Sequence, residues 1–286
     1  MTHETRRAGG GRRMVRLVFA STLLLSAAAP AVAQWVYVPD GAIEASGVFL
    51  TPRDLVNDSG AGPLSAVPVA GLPETSGLAA YEADSNGDTL FVSRIAIELP
   101  GPTYAMRQDV VRDTGAGLVL EFDGSAAGVP AGVAIDALAS TASGELLLSF
   151  DTSVELPGLF VDDEDLVLWN GAGFAPFFDG STEGVPTALD VDAASYDPVG
   201  NRLRLSFDTP GEVGGVSFED EDLLELDRSS GIWSLAFDGS ARDPALAATD
   251  IVAVPEPGLG PLLALGAALL AGLGGRIRPE RRPAIP

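Results

Sequence analysis

The chain has 286 residues and a formal net charge of −23 at pH 7, with 40 acidic residues against 17 arginines. It has no cysteine and no lysine, and its one histidine is His3, which excludes disulfide bonds, Cys/His zinc sites and Ser-His-Asp, Cys-His or lysine catalysis from residue 34 onward. Carboxylate chemistry and oxygen-ligand cations, chiefly calcium, remain available.

Residues 1–33 have the pattern of a secretory signal peptide. A positive segment with Arg12, Arg13 and Arg16 precedes an apolar run over 17–25. Ala31 and Ala33 form an A-x-A cleavage site before Gln34. Translation from Met1 or from Met14 would both supply a complete signal. We therefore expect signal peptidase and the export machinery to be partners, and the mature chain to be exported.

The acidic charge is concentrated in residues 34–254, which hold 37 acidic residues and eight arginines, a net charge of −29. Such a charge repels phosphate, so no nucleic-acid partner is expected. It attracts cations and keeps an exported protein soluble. A solvated acidic surface and a cation-binding surface are both consistent with it.

The middle of the chain is a repeat of about 56 residues. The segment 148–152 (LSFDT) returns at 205–209, and 163–166 (DEDL) returns at 220–223. The tetrapeptide FDGS occurs at 122–125, 178–181 and 237–240. We place four copies at about 35–87, 88–143, 144–199 and 200–254, the first being the least similar to the others. In the first copy, residues 53–56 (RDLV) stand for the acidic segment DEDL.

Each copy holds four short runs with the alternation of β-strands. Leu203, Leu205 and Phe207 alternate with polar residues, for example. The sequence therefore predicts an all-β fold of tandem four-stranded repeats, arranged like a β-propeller or, alternatively, a β-sandwich with duplicated halves. Pro176 cannot donate a ladder hydrogen bond, which predicts an edge or bulged strand there.

Three segments have the oxygen-rich side chains that calcium prefers. Asp84, Asn86 and Asp88 alternate around Gly87 like the first half of a calcium loop, but position twelve is Ile95 rather than a glutamate. Two acidic runs follow glycine-containing loops at the rim of a sheet. Their candidate ligands are Asp162, Asp163, Asp165, Glu219, Asp220 and Asp222. Calcium is thus a candidate cofactor, and a polar turn or a solvated rim is the alternative at each place.

Other aspartates recur once per copy. Asp136 matches Asp192 and, less closely, Asp250, while Asp123, Asp179 and Asp238 occupy the FDGS turns. A residue repeated in every unit is usually part of the scaffold, so we expect these carboxylates to accept backbone N–H groups. No residues stand out as catalytic, and we expect no enzymatic activity. A carboxylate-dependent hydrolase is a less favoured alternative.

The C-terminal segment, 255–286, begins with Pro255, Glu256 and Pro257. An uncharged run over 258–275 follows, long enough to cross a bilayer as a helix of ~27 Å at ~1.5 Å per residue. It ends in a basic tail of Arg276, Arg278, Arg281 and Arg282, which favours a cytoplasmic end. We therefore predict a C-terminal transmembrane helix.

This arrangement resembles the PEP-CTERM sorting signal of exosortase substrates. The resemblance implies transient anchoring in the inner membrane, processing by an exosortase-type enzyme and a final place at the cell surface or outside the cell. It also implies a link to exopolysaccharide and biofilm matrix. The sequence thus predicts an exported, non-catalytic structural protein. The alternative is a calcium- or polysaccharide-binding module.

Overall fold

The computed structural model describes residues 35–253, apart from 61, 70, 84–87 and the side chains of 252 and 253. These residues form four antiparallel sheets of four strands each. The innermost strands of the four sheets contact one another around a common axis. The fold is therefore a four-bladed β-propeller, which confirms the all-β, propeller-like prediction rather than the sandwich.

The blades are numbered I to IV, and the strands of each are given from the axis outward. Blade I contains β24 (Ile251–Ala253), β1 (Trp35–Pro39), β4 (Asp54–Asp58) and β5 (Ser65–Pro68). Blade II contains β6 (Leu78–Ala83), β7 (Thr89–Ser93), β10 (Val110–Asp113) and β11 (Leu118–Phe122). Blade III contains β12 (Ile135–Ser140), β13 (Leu146–Phe150), β16 (Leu166–Trp169) and β17 (Phe174–Phe178). Blade IV contains β18 (Val191–Asp197), β19 (Arg202–Phe207), β22 (Leu223–Asp227) and β23 (Ile232–Phe237).

Each blade also carries a two-stranded hairpin between its second and third strands, which the sequence pattern did not predict. The hairpins pair β2 (Ile43–Ala45) with β3 (Val48–Leu50), β8 (Ile97–Leu99) with β9 (Thr103–Ala105), β14 (Val154–Leu156) with β15 (Leu159–Val161), and β20 (Gly211–Val213) with β21 (Val216–Phe218). Each repeat therefore forms six strands rather than four. Strands of three residues are too short to show a clear alternation in the sequence.

Helical structure in the described residues is limited to short turns after the outer strands. These are α1 (Gly124–Ala127), α2 (Gly239–Arg242) and the 3₁₀ turn η1 (Leu246–Ala248). No helix within residues 35–253 is long and apolar enough to cross a membrane. The predicted transmembrane helix over 258–275, the Pro-Glu-Pro motif, the basic tail and the signal peptide all lie outside the described residues.

The hydrophobic core is a set of layers between neighbouring blades. Leu203, Leu205 and Phe207 of β19 are fully buried and pack with Ala137, Leu147 and Leu166 of blade III, which confirms their predicted alternation. A similar layer joins blades II and III, where Phe122 of blade II lies near Phe150 of blade III. Because a lone blade would expose these faces to water, the four repeats have to fold together.

The ring is closed by the last strand pairing with the first. β24 lies antiparallel to β1, with Ile251 opposite Pro39 and Ala253 opposite Val38. An ion pair reinforces the closure, since Nε of Arg242 in α2 donates to Oδ2 of the fully buried Asp58 at 2.7 Å. Pro176 lies in β17, the outermost strand of blade III, which confirms its predicted edge position.

Candidate functional site

The two predicted acidic calcium runs occupy equivalent places in blades III and IV, between the hairpin and the third strand. Their last aspartates are structural. Asp165 accepts the N–H of Asp162 through Oδ2 at 3.2 Å and that of Gly180 through Oδ1 at 2.9 Å. Asp222 accepts those of Glu219 and Gly239 in the same way, at 2.9 and 3.0 Å. Each carboxylate therefore ties the start of the third strand to the turn after the fourth.

Blade II has the same tie, and blade I has its first half. In blade II, Asp109 accepts the N–H groups of Met106 at 2.7 Å and Gly124 at 2.9 Å. In blade I, Asp54 accepts the N–H of Thr51 at 2.8 Å. The proposed match of the first copy to the acidic runs is thus confirmed at Asp54, even though its neighbours are not acidic.

The remaining calcium candidates within the described residues belong to three different blades. Asp88 pairs with Arg112 at 3.4 Å beside β7, and Asp84 and Asn86 lie outside the described residues. Asp162 and Asp163 belong to blade III, whereas Glu219 and Asp220 belong to blade IV. Calcium binding by these segments stays a prediction, with two of its ligands, Asp165 and Asp222, already engaged by backbone N–H groups.

The aspartates of the FDGS turns have the scaffold role that the sequence predicted. Asp123 accepts the N–H of Ala126 at 2.9 Å and caps α1. Asp238 caps α2 through Ala241 at 2.7 Å. Asp179 accepts the N–H of Thr182 at 2.9 Å.

A different group of acids meets at the propeller axis, at the end of the blades where the innermost strands begin. It consists of Asp136, Asp190, Asp192 and Asp250, here called the axial cluster. Asp136 and Asp192 each occupy a β-bulge at the start of β12 and β18, where the pairing with the second strand skips a residue. A bulge re-aims its side chain away from the regular alternation. These two carboxylates can therefore reach their neighbours rather than follow the face of the sheet.

Within the described part of the chain, three oxygens of the axial cluster lack a hydrogen-bond partner, whereas Asp250 accepts the N–H of Ile251 through Oδ1 at 2.6 Å, as expected of a scaffold residue. Carboxylate oxygens of Asp136, Asp190 and Asp192 lie within 4.8 Å of one another. Both oxygens of Asp136 and Oδ1 of Asp190 are buried and have no hydrogen-bond partner among the described residues. Leaving buried charged oxygens without donors is costly, so this group requires protons or a cation.

The expectation that Asp136 serves the scaffold by accepting backbone N–H groups is therefore wrong. The alignment of Asp250 with Asp192 is corrected as well. The carbonyl of Asp250 accepts the N–H of Asp40, as the carbonyl of Asp190 accepts that of Asp208, so Asp250 is the counterpart of Asp190. In blade II, the position equivalent to Asp136 and Asp192 is occupied by Ala79.

A second set of residues surrounds the cluster at the ends of the second strands. Asp40, Asp151 and Asp208 each accept an N–H from the residue that precedes the innermost strand, at 3.1, 2.7 and 3.1 Å. Blade II has Arg94 instead, which donates to the carbonyls of Leu78 and Asp40, both at 2.9 Å. The acidic side chains therefore come from blades III, IV and I. Blade II supplies two guanidinium groups, those of Arg94 and Arg107, and Arg107 pairs with Asp151 at 3.2 Å.

Burial and mutual repulsion raise the pKa values throughout the axial cluster. Burial, followed by the charges of Asp190 and Asp192, raises the pKa of Asp136 well above its usual value. Burial and the charge of Asp192 raise the pKa of Asp190 to about 8. Burial and a hydrogen bond with Asp192 raise the pKa of Asp250 to about 10.

Chemically, such a cluster can do one of two things. It can retain protons, so that neighbouring carboxyls share them, or it can bind a divalent cation that displaces those protons. Two oxygens that each lie ~2.4 Å from one calcium ion are at most ~4.8 Å apart, which is the spread of Asp136, Asp190 and Asp192. The residues therefore fit an oxygen-ligand cation.

The sequence matches no family model and no curated protein. Several solved structures show weak similarity to this chain. A luciferin-regenerating enzyme has 12% identity and a TM-score of 0.32, over 68% of this chain and 58% of that one. Virginiamycin B lyase from Staphylococcus aureus has 10% identity and a TM-score of 0.31, over 71% and 70%. A chain of a nidogen/laminin complex has 8% identity and a TM-score of 0.35, over 77% and 84%. At these identities no function transfers to this chain.

Proposed function

We propose that this chain is an exported, non-catalytic propeller module that binds one calcium ion on its axis. The observation that carries the proposal is Asp136, whose two buried carboxylate oxygens lack a hydrogen-bond partner while oxygens of Asp190 and Asp192 lie within 4.8 Å. A cation at this point would satisfy three carboxylates at once. It would also join blades III and IV.

Calcium is favoured over other cations by the donor set. All candidate ligands are carboxylates, and residues 34–254 contain neither histidine nor cysteine, the ligands that zinc prefers. Three carboxylates in a partly buried site would also strip most water from the ion. Magnesium gives up its water reluctantly and usually retains several molecules, so it would bind less well.

Thermal unfolding of the full chain in calcium, magnesium and chelator tests the proposal. We expect calcium to raise the unfolding temperature by several degrees, because 100-fold excess over Kd stabilises a folded protein by ~2.7 kcal/mol. Asp136→Asn should abolish that rise. In chelator the same variant should unfold at a higher temperature than the wild type, because it removes a carboxylate that otherwise has to be buried charged or protonated.

Glu219→Gln is the matched control, since it removes an exposed carboxylate of the predicted acidic run and leaves the axis unchanged. It should retain the full calcium effect. A calcium effect that survives Asp136→Asn and disappears in Glu219→Gln would move the site to the acidic runs. Equal effects of calcium, magnesium and sodium chloride at matched ionic strength would indicate screening of the −29 charge and refute the proposal.

Export and a structural role at the cell surface are supported by the two ends of the sequence. The A-x-A site before Gln34, the motif Pro255-Glu256-Pro257 and the arginine tail are the features on which this part of the proposal rests. A propeller that needs no disulfide bond and gains stability from a cation suits an extracellular setting where calcium is available. A matrix role linked to exopolysaccharide follows from the PEP-CTERM resemblance alone.

A further inference from the structure

Each of the four hairpins has one exposed pair of side chains that lie across from each other on its two strands. Packing within the chain does not explain these pairs. In three of them a glutamate lies directly across from an aromatic residue. These pairs are Glu44 with Phe49, Glu98 with Tyr104, and Glu155 with Phe160. The rings are 67%, 59% and 62% exposed, and the glutamates are exposed too. The six residues are here called the hairpin face.

The fold does not require these aromatic residues. The opposite side of each hairpin supplies the packing, as Val154, Leu156 and Val161 do in blade III, where all three are buried. The fourth hairpin forms with Ser217 across from Glu212. An exposed ring in the same place on three blades therefore points to contact with something outside the chain.

All four hairpins lie at the same end of the propeller as the axial cluster. Each follows a second strand whose last residues pair with the start of an innermost strand, as Phe150 pairs with Ile135. The hairpin segments 43–50, 97–105, 154–161 and 211–218 contain a glutamate each and no arginine. The arginines that follow the first two hairpins are engaged within the chain: Arg53 donates to the carbonyl of Leu72 at 2.8 Å, and Arg107 pairs with Asp151 at 3.2 Å. The hairpins themselves thus present aromatic rings beside glutamates.

A small hollow lies behind one of the rings. It is lined by Leu159 and Phe160 of the hairpin, by Pro176 and Phe178 of β17, and by Asp165 and Asp179. Its volume of about 140 Å³ suits one long side chain and falls short of the ~300 Å³ at which small-molecule sites begin. Apolar walls with carboxylates at the edge match a side chain that has an apolar stem and a cationic end.

We propose that the hairpin face binds a basic polypeptide, with one arginine or lysine side chain entering the hollow behind Phe160. The rings would receive cationic groups over their faces, the adjacent glutamates would complete the charge pairing, and Asp179 would hold the cation in the hollow. Asp179 stays ionised, because the N–H of Thr182 and the hydroxyl of Ser181 lower its pKa. The inference does not depend on calcium binding at the axis.

Fluorescence anisotropy of a labelled oligoarginine peptide with the full chain, at physiological salt, tests the proposal. The variant Phe49→Ser, Tyr104→Ser, Phe160→Ser reproduces Ser217 of the fourth hairpin and leaves the net charge unchanged. We expect it to bind the peptide roughly tenfold or more weakly, since each exposed cation–π contact contributes modestly. Val199→Ser removes a residue that is 96% exposed in the turn at the opposite end, and it should bind like the wild type.

A second pair of variants separates the hollow from general charge. Asp179→Asn and Asp238→Asn each remove one charge from the same turn position, and asparagine still caps the turn. Only the first lies in the hollow, so only the first should weaken binding. Equal losses in both, or full binding by the triple serine variant, would reduce the attraction to net charge and overturn the proposal. Ring-dependent binding of a neutral dextran, with no ring-dependent binding of the peptide, would overturn it in favour of a polysaccharide.

Discussion

Asp136 shows that a residue can recur in a repeat, as scaffold residues do, and still belong to a candidate binding site. Its counterpart Asp192 occupies the same bulge one blade later and forms a hydrogen bond with the side chain of Asp250, whereas the turn residue Asp179 accepts the backbone N–H of Thr182. Recurrence alone does not separate the two roles. Proximity to the axis does, because equivalent residues of different blades approach one another only there.

The raised pKa values predict how stability without a cation depends on pH. Asp190 and Asp250, with pKa values of about 8 and 10 in the folded protein, retain protons that the unfolded chain releases near pH 4. From about pH 4 up to these folded-state pKa values, the folded protein therefore binds more protons than the unfolded chain. The free energy of unfolding consequently falls as pH rises, by about 1.4 kcal/mol per pH unit for each such carboxyl. Denaturant unfolding in chelator at about pH 6 and pH 8 measures this slope.

Two variants test which carboxyls cause this change of the unfolding free energy with pH. Asp190→Asn should reduce it. Glu164→Gln should remove a separate contribution, since burial raises the pKa of Glu164 to about 7. Calcium should stabilise more at pH 8 than at pH 6, because it competes with protons for the same oxygens. A calcium effect that is larger at pH 6, or a slope that Asp190→Asn leaves unchanged, would contradict the assignment.

At the scale of the element, the turn after the outer strand of blades II, III and IV is fixed by one glycine and one aspartate. The N–H of Gly180 donates to Asp165, and a Cβ at Gly180 would collide with the backbone carbonyl of Glu164. Gly124 and Gly239 face Gln108 and Glu221 in the same way. The FDGS motif therefore has its glycine because the backbone of the preceding segment passes too close for a side chain.

We expect Gly180→Ala to lower the free energy of unfolding by about 1–3 kcal/mol or more, because the backbone at Glu164 has to shift and the hydrogen bond to Asp165 is weakened. Gly173→Ala is the control in the same blade, since a Cβ there meets nothing within 4 Å and should change stability by only ~0.5 kcal/mol. Urea unfolding of both variants gives the comparison. Similar values for the two would show that the close approach is readily relieved.

At the scale of the whole molecule, the start of the first strand and the end of the last strand lie away from the candidate binding surfaces. β1 begins at Trp35, at the end opposite the axial cluster, and β24 runs from Ile251 towards that same end. The axial cluster and the hairpin face lie at the other end. A propeller held through its C-terminal segment would thus present both surfaces away from the point of attachment.

The proposed sorting predicts where altered chains accumulate in a Gram-negative host that has an exosortase. Ala33→Leu should block cleavage before Gln34 and leave the chain with its leader. Replacing Pro255, Glu256 and Pro257 by alanine should leave the chain in the membrane fraction, whereas the wild type is processed and released from it. N-terminal sequencing and membrane fractionation measure the two outcomes. Release of the triple alanine variant at the wild-type rate would contradict exosortase-type processing.

Sequence by itself determined the all-β class, the four repeats, the alternation of the inward residues and the edge position of Pro176. These follow from contacts within one strand or between neighbouring strands, which leave a periodic trace in the sequence. It also identified Asp54 as the equivalent of the acidic runs, because that aspartate closes a local turn. The hairpins escaped notice because strands of three residues are too short to leave such a trace.

The tertiary structure alone decided where the candidate sites lie. Asp136, Asp190 and Asp250 are separated by tens of residues and come from blades III, IV and I, so nothing local requires them to meet. They converge because β24 closes the ring with β1 and brings the innermost strands around one axis. The hairpin face arises in the same way, since connections between second and third strands all emerge at one end of a propeller. Local periodicity encodes the blade, and only closure of the ring brings distant side chains together.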